Sequence, residues 1–323
     1  ANLKDSKYLD MSDFVYVSRE KAKKLKSNLA FPNDVVFTQR GTLGQVAIVP
    51  QNGFEKYIIS QSQMKITLDL SKVIPDFVYY FFSSSIGIKM VENNSITAGV
   101  PHINLGIMKS FELPVPPLQT QKRIADILSA YDDLIENNLK RIKLLEQAAQ
   151  NIYKEWFVNM RFPGYENAVV NEDTGLTSGW TKVLAKDYFD FKRGIEVGSK
   201  NYVTEASENT IPFLRVGSLG SRDKDVFTYI SLVKDKILKF TDVAVSMDGS
   251  IGLIGYGLVG AYSTGLRKVV PKSDKYGDGF IFCLLKSEDI QNTVRAYAKG
   301  STILHASSSI EHMSFNNAPS EIA

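Results

Sequence analysis

The sequence has little cysteine, no long apolar run and no strong excess of charge of either sign. Its one cysteine, Cys283, lies in the apolar string FIFCLLK and cannot form an intrachain disulfide, which predicts a buried thiol and a reducing, cytoplasmic location. No run approaches the roughly 18 apolar residues of a membrane span, and the first ten residues lack a signal-peptide core. A net charge of +3 excludes an indiscriminately basic protein but is compatible with local nucleic-acid-binding patches.

Signatures of catalytic and cofactor sites are equally scarce. Three histidines and one cysteine are too few for a Cys/His zinc cluster, and neither a P-loop string nor an Asn-Pro-Pro-aromatic or Asp-Pro-Pro-aromatic string occurs. One G-x-G-x-x-G match, at 255–260, precedes AYSTGLRKVV, which has the pattern of a turn and strand instead of the helix of a dinucleotide site. The sequence therefore predicts no enzyme, no metal and no cofactor in this chain, and the hypothesis of a nucleotide-dependent enzyme depends on this single match.

An internal duplication is the most informative feature of the sequence. The string DVVFTQRGTLG (34–44) matches DVAVSMDGSIG (242–252) at an offset of 208 residues. FVYYFFSS then matches FIFCLLKS, and AGVPHINLGI matches GSTILHASSSI, both at an offset of 203 residues, which aligns His102 with His305. A period of about 200 residues predicts a repeated domain, and a length of 323 residues suits two such domains.

Each copy has the pattern of a mixed α/β domain. DVVFTQRGTLGQVAIVP predicts two strands joined by a glycine turn, and QMKITLDL and LRKVVPK predict further strands. PDFVYYFFSSSIGIKMVEN predicts a short amphipathic helix that begins at a proline, with a counterpart from about 280 to 298. The predicted fold class is α/β, mixed α+β, with two homologous globular domains joined by a long coiled-coil helix.

The region between the copies predicts that helix. Residues 118–157 contain no glycine or proline, and their six cations balance six anions, which is untypical of a phosphate-binding helix. Forty helical residues would span about 60 Å. Heptad spacing predicts a partner-helix seam, with one polar position to set the register, in preference to a simple core helix. The seam residues are Ile124, Leu128, Tyr131, Ile135, Asn138, Ile142, Leu145, Ala149, Ile152 and Trp156.

Two polar strips recur in both copies, one at the glycine turn and one around the aligned histidines, with scattered cations nearby. Hydroxyls, amides, imidazoles and arginines can contact bases or phosphates, although an ordinary hairpin surface, a structural loop and solvated arginines explain the same patterns. The candidate DNA-binding residues are Thr38, Gln39, Arg40, Thr42, Lys65, Thr97, His102, Asn104, Arg193, Arg215, Asp248, Ser250, Arg267, Lys299, Ser301, His305 and Ser307.

Residues 111–164 resemble the central conserved region of type I restriction–modification specificity subunits. In that family a P-P-L-x-x-Q-x-x-I-A string leads into a spacer helix that ends in a Trp-Phe stretch. The string LTSGWTKVLAKDYFDFKRG is similar to the opening of the family's second target-recognition domain. The residues that match the central motif are Pro114, Pro116, Pro117, Leu118, Gln121, Ile124, Ala125, Trp156 and Phe157.

The resemblance implies a DNA-recognition subunit without catalytic activity. Each target-recognition domain would read one half of a split double-stranded DNA site, while the helix would set the unread gap and dock methyltransferase subunits, with restriction subunits bound indirectly. S-adenosylmethionine, ATP and Mg would belong to those partner subunits. The implied domains are a first target-recognition domain at 1–116 without its N-terminal part, a spacer helix at 117–160, a second target-recognition domain at 161–319 and the start of a second conserved region at 320–323.

One departure from the family leaves an alternative open. The family pairs two such helices antiparallel, whereas this sequence contains one, which predicts a truncated chain or self-association through the helix. The alternative hypothesis is a coiled-coil interaction or inhibitory protein that does not read DNA itself.

Overall fold

The computed structural model describes residues 3, 6–10, 14–97, 99–220 and 226–319. It divides into two compact units, Ala1–Lys140 (unit 1) and Arg141–Ala323 (unit 2), and both are mixed α/β, as the sequence predicts. The finer domain bounds at 1–116, 117–160 and 161–319 stay a prediction, and the predicted region at 320–323 lies outside the described residues.

Unit 1 is built around a three-stranded antiparallel sheet in the order β3-β2-β5, beside a two-stranded β1-β4 pair. The central strand β2 is buried along its whole length, as expected of an apolar run covered on both faces. Its strands are β1 Leu29–Ala30, β2 Val35–Thr38, β3 Val46–Ile48, β4 Tyr57–Ile58 and β5 Gln63–Ile66, and its helices are α1 Arg19–Lys24, α2 Pro75–Ser83, α3 Ser85–Asn93 and α4 Leu105–Lys109.

The predicted amphipathic helix of each copy is in fact two helices, and this expectation was wrong in its extent. In unit 1 the break falls at Ser84, whose backbone is extended and whose hydroxyl accepts a hydrogen bond from the N–H of Gly87. This N-cap starts a new helix. A Cβ at Gly87 would lie 2.3 Å from the carbonyl oxygen of Phe81, so the tight turn between the helices requires glycine.

The long helix α5 spans Leu118–Tyr153 and continues as a π-helical turn over Lys154–Val158, so the prediction of a helix over 118–157 is confirmed. At 1.5 Å per residue its 36 residues rise about 54 Å. It begins directly after Pro117, which has no N–H to leave unpaired in a first turn. The chain leaves the helix through left-handed backbone at Met160 (φ 55°) and Gly164 (φ 88°).

Unit 2 contains two four-stranded sheets, in the orders β12-β11-β14-β7 and β10-β13-β8-β9, and a β15-β6 pair. Its strands are β6 Thr181–Leu184, β7 Phe189–Arg193, β8 Thr210–Leu214, β9 Phe227–Tyr229, β10 Ile237–Leu238, β11 Val243–Ser246, β12 Ile254–Gly255, β13 Gly260–Tyr262, β14 Leu266–Pro271 and β15 Ser314–Asn317. Its helices are α6 Ala185–Tyr188, α7 Gly217–Gly220, α8 Ile230–Val233, α9 Asp278–Lys286 and α10 Glu288–Ala296. The G-x-G-x-x-G string joins β12 to β13, and the prediction that a turn and a strand follow it instead of a helix is confirmed.

The duplication is visible element by element. Helices α9 and α10 begin and end 203 residues after α2 and α3. The central strands pair in the same register, since Val36 faces Lys65 in unit 1 and Ala244 faces Lys268 in unit 2. The two units are therefore copies of one fold, and unit 2 has further strands without a counterpart among the described strands of unit 1, including β8 and β9.

Gln121 connects the start of α5 to unit 1. Its side chain is fully buried, and its Oε1 accepts from the N–H of Ile74 (3.1 Å). Its Nε2 donates to the carbonyl oxygens of Lys72 (2.8 Å) and Pro116 (2.7 Å). Because each of these backbone groups would otherwise be left without that partner, the amide positions the helix relative to its own unit.

Tyr153 has the corresponding role near the other end of α5, within unit 2. It is buried, stacks on Phe157 at 5.4 Å and contacts Phe280 edge-on. Lys286 of α9 forms an ion pair with Glu146 at 2.8 Å. Cys283 of the same helix is buried, as predicted, and burial raises the pKa of its thiol.

Within the part of the chain that the structure describes, no helix combines the length and apolar character needed to cross a membrane.

We expect Gln121→Ala to lower the free energy of unfolding by about 2–3 kcal/mol, because it leaves several buried backbone groups without a partner. Urea unfolding followed by circular dichroism measures this change. Gln119→Ala, an exposed position on the same helix, is the matched control and should change stability by less than about 0.5 kcal/mol. Equal effects of the two substitutions would contradict the role assigned to Gln121.

Candidate nucleic-acid interface

The glycine turn of each unit has left-handed backbone at both of its glycines. The φ angles are 94° at Gly41 and 84° at Gly44, and 72° at Gly249 and 78° at Gly252. A Cβ at Gly41 or Gly249 would meet no other atom of the chain within 4 Å. The glycines at these two tips are therefore required by the backbone angle and not by crowding.

Backbone hydrogen bonds join each glycine turn to the histidine segment of the same unit. In unit 1 the N–H of Gly41 donates to Pro101 (3.1 Å), and the N–H of Ile103 donates to Gln39 (2.9 Å). The equivalent bonds in unit 2 run from Gly249 to Leu304 and from Ala306 to Met247, both 2.8 Å long. The two polar strips of the sequence thus form one surface per unit. We call residues 38–44 with 96–97 and 99–104 the first loop pair, and residues 246–252 with 299–307 the second loop pair.

Exposed side chains of the first loop pair include Arg40, Thr42 and Thr97. His102 pairs in β-bridges with Arg40 and Ile96, and its Nδ1 lies 3.1 Å from the carbonyl oxygen of Val100.

Two further candidates of this loop pair have local structural roles. The hydroxyl of Thr38 is buried and bonds to the side-chain oxygen of Gln45 at 3.3 Å. Asn104 caps α4 by accepting from the N–H of Ile107 at 2.9 Å, so its side chain supports the loop.

The second loop pair has the same backbone but different tips. Asp248 occupies the position of Arg40, and its Oδ1 lies 2.7 Å from Nδ1 of His305. His305 forms the same two β-bridges as His102, here with Asp248 and Lys299. Ser250, Lys299 and Ser301 are exposed around this pair. In unit 2 the carboxylate of Asp248, in contact with the His305 imidazole, therefore occupies the position that the Arg40 guanidinium has in unit 1.

Arg267 lies beneath the second loop pair instead of on its surface. It is 6% exposed, and its guanidinium donates to the carbonyl oxygen of Thr264 (2.6 Å) and to the hydroxyl of Ser307 (2.8 Å). Burial lowers the pKa of Arg267, the nearby Asp248 carboxylate raises it, and the positive charge of Arg193 lowers it. Arg267, Asp248, Ser307 and Arg193 thus form one cluster. Arg193, on β7, pairs with Arg267 on the neighbouring strand β14 and lies at the exposed edge of the cluster.

Lys65 belongs to a buried ion pair that the sequence interpretation missed. Its Nζ lies 2.6 Å from Oδ2 of Asp34, which also accepts from the N–H of Phe31 (2.9 Å). Unit 2 repeats the pair with Lys268 and Asp242 at 2.6 Å. The two lysines are 203 residues apart and the two aspartates 208, which are the offsets of the repeated strings. These offsets could therefore have indicated from the sequence that both residues of the pair recur in unit 2. In this conformation the Lys65 ammonium is bound to Asp34, at the start of β2.

Arg215 follows β8 in unit 2, and its guanidinium lies over the ring of Tyr202 at 5.8 Å from the ring centre.

Most of the predicted seam on α5 is exposed. Eight of its ten residues are exposed, including Tyr131 at 65% and Leu145 at 68%. Ala149 and Trp156 are the other two, and they pack against apolar clusters of unit 2. The helix contacts the rest of unit 1 through a neighbouring face, where the Tyr80 hydroxyl donates to Asp132 at 2.7 Å and lies 3.1 Å from Oγ of Ser129.

Among the described residues, no three His, Cys, Asp or Glu side chains are grouped closely enough to hold a metal ion.

Comparison with known proteins finds one family model and several curated relatives that are similar to this chain. The family model described as "Type I restriction modification DNA specificity domain" matches residues 3–147. The type I restriction enzyme MjaIX specificity subunit of Methanocaldococcus jannaschii is 27% identical over 216 residues, covering 64% of this chain and 48% of the relative. Residues 3–147 thus match the DNA specificity domain of type I restriction–modification systems, and this relative is a specificity subunit of such a system. The resemblance found in the central region of the sequence is thereby confirmed.

Other specificity subunits match in a similar way. The MjaVIII specificity subunit of M. jannaschii is 26% identical and covers 72% of this chain and 57% of the relative. The HindI specificity subunit of Haemophilus influenzae is 32% identical over 111 residues, which are 33% of this chain and 24% of the relative. The chain spans about half the length of the first two relatives. The crystal structure of a type I system S subunit from M. genitalium aligns with 90% of this chain and 72% of its own, at 18% identity and a TM-score of 0.49.

We expect Asp34→Ala to destabilise unit 1 by on the order of 2 kcal/mol, because it leaves the ammonium of Lys65 and the N–H of Phe31 without their acceptor. The figure is below that of a fully buried pair because Lys65 remains 22% exposed. Thermal or urea unfolding measures the loss. Asp69→Ala removes a carboxylate from the exposed pair with Lys72 and should cost less than about 0.5 kcal/mol. An Asp34→Ala variant as stable as Asp69→Ala would contradict the structural role of the buried pair.

Proposed function

We propose that this chain is a non-catalytic DNA-recognition subunit whose two loop pairs each read one half of a bipartite double-stranded site. The observation that carries the proposal is the duplicated loop pair, which has one backbone framework and tips of opposite charge. Arg40 and Asp248 occupy equivalent bridge positions beside His102 and His305. A constant framework with different tips suits two domains that read different sequences.

The chemistry of the two tips supports different preferences. An arginine side chain donates two hydrogen bonds to O6 and N7 of guanine, whereas a carboxylate accepts from the N4 amino group of cytosine. The exposed hydroxyls and amine around them, on Thr42, Thr97, Ser250, Lys299 and Ser301, suit contacts to neighbouring bases or phosphates. Gln39, His102, His305 and Arg193 lie on the same two surfaces, and Arg215 lies near unit 2's additional strands.

Four of the sequence-predicted residues support the surface in this proposal instead of contacting DNA directly. Thr38 and Asn104 hold the first loop pair, Lys65 neutralises a buried carboxylate, and Arg267 holds Ser307 from below. Substitutions there would change specificity only through the geometry of the loops.

The partners in this proposal are methyltransferase subunits docked along α5, and restriction subunits bound through them. S-adenosylmethionine, ATP and Mg would be bound by those partners, in which methyl transfer and cleavage would take place. The unpaired Cys283 suits the reducing cytoplasm in which such a complex would work.

The test uses the chain assembled with a type I methyltransferase subunit and a DNA library in which two short blocks are randomised on either side of a spacer. Methylated molecules are captured and sequenced. We expect enrichment of one bipartite sequence, because each loop pair contacts its own block. Methylation without sequence preference would refute the proposal.

Two variants test which loop pair reads which randomised block. Arg40→Gln should relax preference in one block and Asp248→Asn in the other, each by about 1–3 kcal/mol at the affected base pair. Asp69→Asn changes an exposed carboxylate that belongs to neither loop pair, so it is the control and should leave the enriched sequence unchanged. Loss of preference in both blocks from either single variant would contradict independent reading.

The exposed seam favours a second candidate function, that of a coiled-coil interaction protein. Leu145 lies on the seam and Leu144 points away from it, although the two residues are neighbours and are 68% and 64% exposed. Leu145→Lys should weaken binding to the methyltransferase subunit, or to a second copy of the chain, at least tenfold (about 1.4 kcal/mol), because it places an ammonium in an apolar interface. Leu144→Lys is the matched control and should bind normally.

Light scattering and calorimetry measure both complexes. Equal binding by the two variants would show that the seam is not the docking face. A chain that forms the complex through the seam while the complex shows no DNA preference would favour the interaction-protein function over DNA recognition.

A further inference from the structure

A dense group of cations lies in unit 1 outside the residues considered so far. Between residues 19 and 26 there are five cations and one anion, and all five cations are exposed. We call residues 19–26 the basic segment. It comprises α1, capped by Ser18, and the start of the following 3₁₀ turn. Its cations are Arg19, Lys21, Lys23, Lys24 and Lys26.

The fold itself does not require these charges. Unit 2 builds the same β-pair, since Ala30 faces Tyr57 in β1-β4 and Leu238 faces Gly260 in β10-β13. At the 208-residue offset, the five cationic positions of unit 1 correspond to one cation and four uncharged residues in unit 2. Those residues are Phe227, Tyr229, Ser231, Leu232 and Lys234. A cluster present in one copy only points to a function specific to unit 1.

Among the described residues, the five cations of the basic segment also have no partner in an ion pair. Within the described ranges of the chain, no carboxylate lies within ion-pair distance of any of them. Five like charges within eight residues repel one another, and that repulsion is relieved when a polyanion binds.

The basic segment lies at the same end of unit 1 as the first loop pair. The N–H of Ile59 donates to the carbonyl oxygen of Asn28 (2.9 Å), two residues after Lys26. From Ile59 the chain reaches Ser62 in three residues, at most about 10 Å. The carbonyl oxygen of Ser62 accepts from the N–H groups of Gln39 (2.7 Å) and Arg40 (3.3 Å).

Strand directions agree with this placement. Strand β4 runs towards Ser62, and β1 is antiparallel to it, so the residues that precede β1 lie at the end where β4 finishes. The basic segment and the exposed Arg40 thus belong to the same end of unit 1.

We propose that the basic segment binds DNA backbone phosphates next to the half-site read by the first loop pair, and that unit 2 has no equivalent contact. This inference rests on the proposed function. Lysine ammonium groups bind phosphates as mobile point charges, so the contact would add affinity without sequence preference. Binding by the first half of the complex would therefore depend more steeply on salt than binding by the second half.

The experiment compares two double variants of the full chain, assembled with the methyltransferase subunit and titrated with a mixed-sequence DNA duplex over a range of salt concentrations. Lys21→Gln/Lys24→Gln removes two cations from one helical face of the basic segment. Lys56→Gln/Lys72→Gln removes two exposed cations from the opposite end of the same unit, before β4 and after β5. Both variants lose the same charge.

We expect the slope of log affinity against log salt concentration to decrease in magnitude by about 0.9 for each phosphate that the Lys21/Lys24 variant no longer neutralises. The slope of the control variant should equal that of the wild type. The sequence enriched in the methylation library should be the same for both. Equal slopes for the two variants would overturn the inference, as would an unchanged DNA slope together with weakened binding to vesicles of anionic lipid.

Failure of this inference can be distinguished from failure of the proposed function. If the wild-type complex shows no sequence preference in the methylation library, the proposed function fails. If it shows a preference and the Lys21/Lys24 variant keeps the wild-type salt slope, the proposed function stands and the basic segment does not bind phosphate.

Discussion

The backbone hydrogen bonds between the glycine turn and the histidine segment are the constraint on which the candidate interface depends. They hold Gly41 to Pro101 and Ile103 to Gln39, and the same bonds recur in unit 2. Because main-chain groups make them, the residues at the tips can change without loss of the loop geometry. The left-handed glycines are the main residue requirement, since other side chains rarely adopt those angles.

A second shared element is the aspartate–lysine pair, whose aspartate directly precedes the central strand of each unit. Asp34 and Asp242 accept both a lysine ammonium and a backbone N–H. In each unit this pair links the start of the central strand to the neighbouring strand. The sheet that supports the loops is therefore held by an ion pair as well as by backbone hydrogen bonds between its strands. Because this support is the same in both units, the residues at the tips can differ without changing it.

Two faces of helix α5 differ in their surroundings. One face packs on its own domains through Gln121 near one end and Tyr153 near the other, and an adjacent face remains apolar and exposed. An exposed apolar stripe of this kind typically marks a protein interface. The charge balance along the helix agrees with a protein partner, whereas the basic segment concentrates five cations within eight residues of unit 1.

Much of this arrangement could be read from the sequence, and the physical reasons are specific. Repeated strings revealed the two copies, the absence of glycine and proline over 118–157 predicted α5, and the glycines at 41, 44, 249 and 252 predicted the turns. Local patterns of this kind depend on backbone propensity and periodicity, which are properties of neighbouring residues. Only the tertiary structure decided that the two polar strips form one surface, that Arg267 is buried under Ser307, that Lys65 pairs with Asp34, and that each predicted amphipathic helix breaks at a serine. These outcomes depend on which distant backbone groups and charges meet when the sheets form, and residue type alone does not specify those meetings.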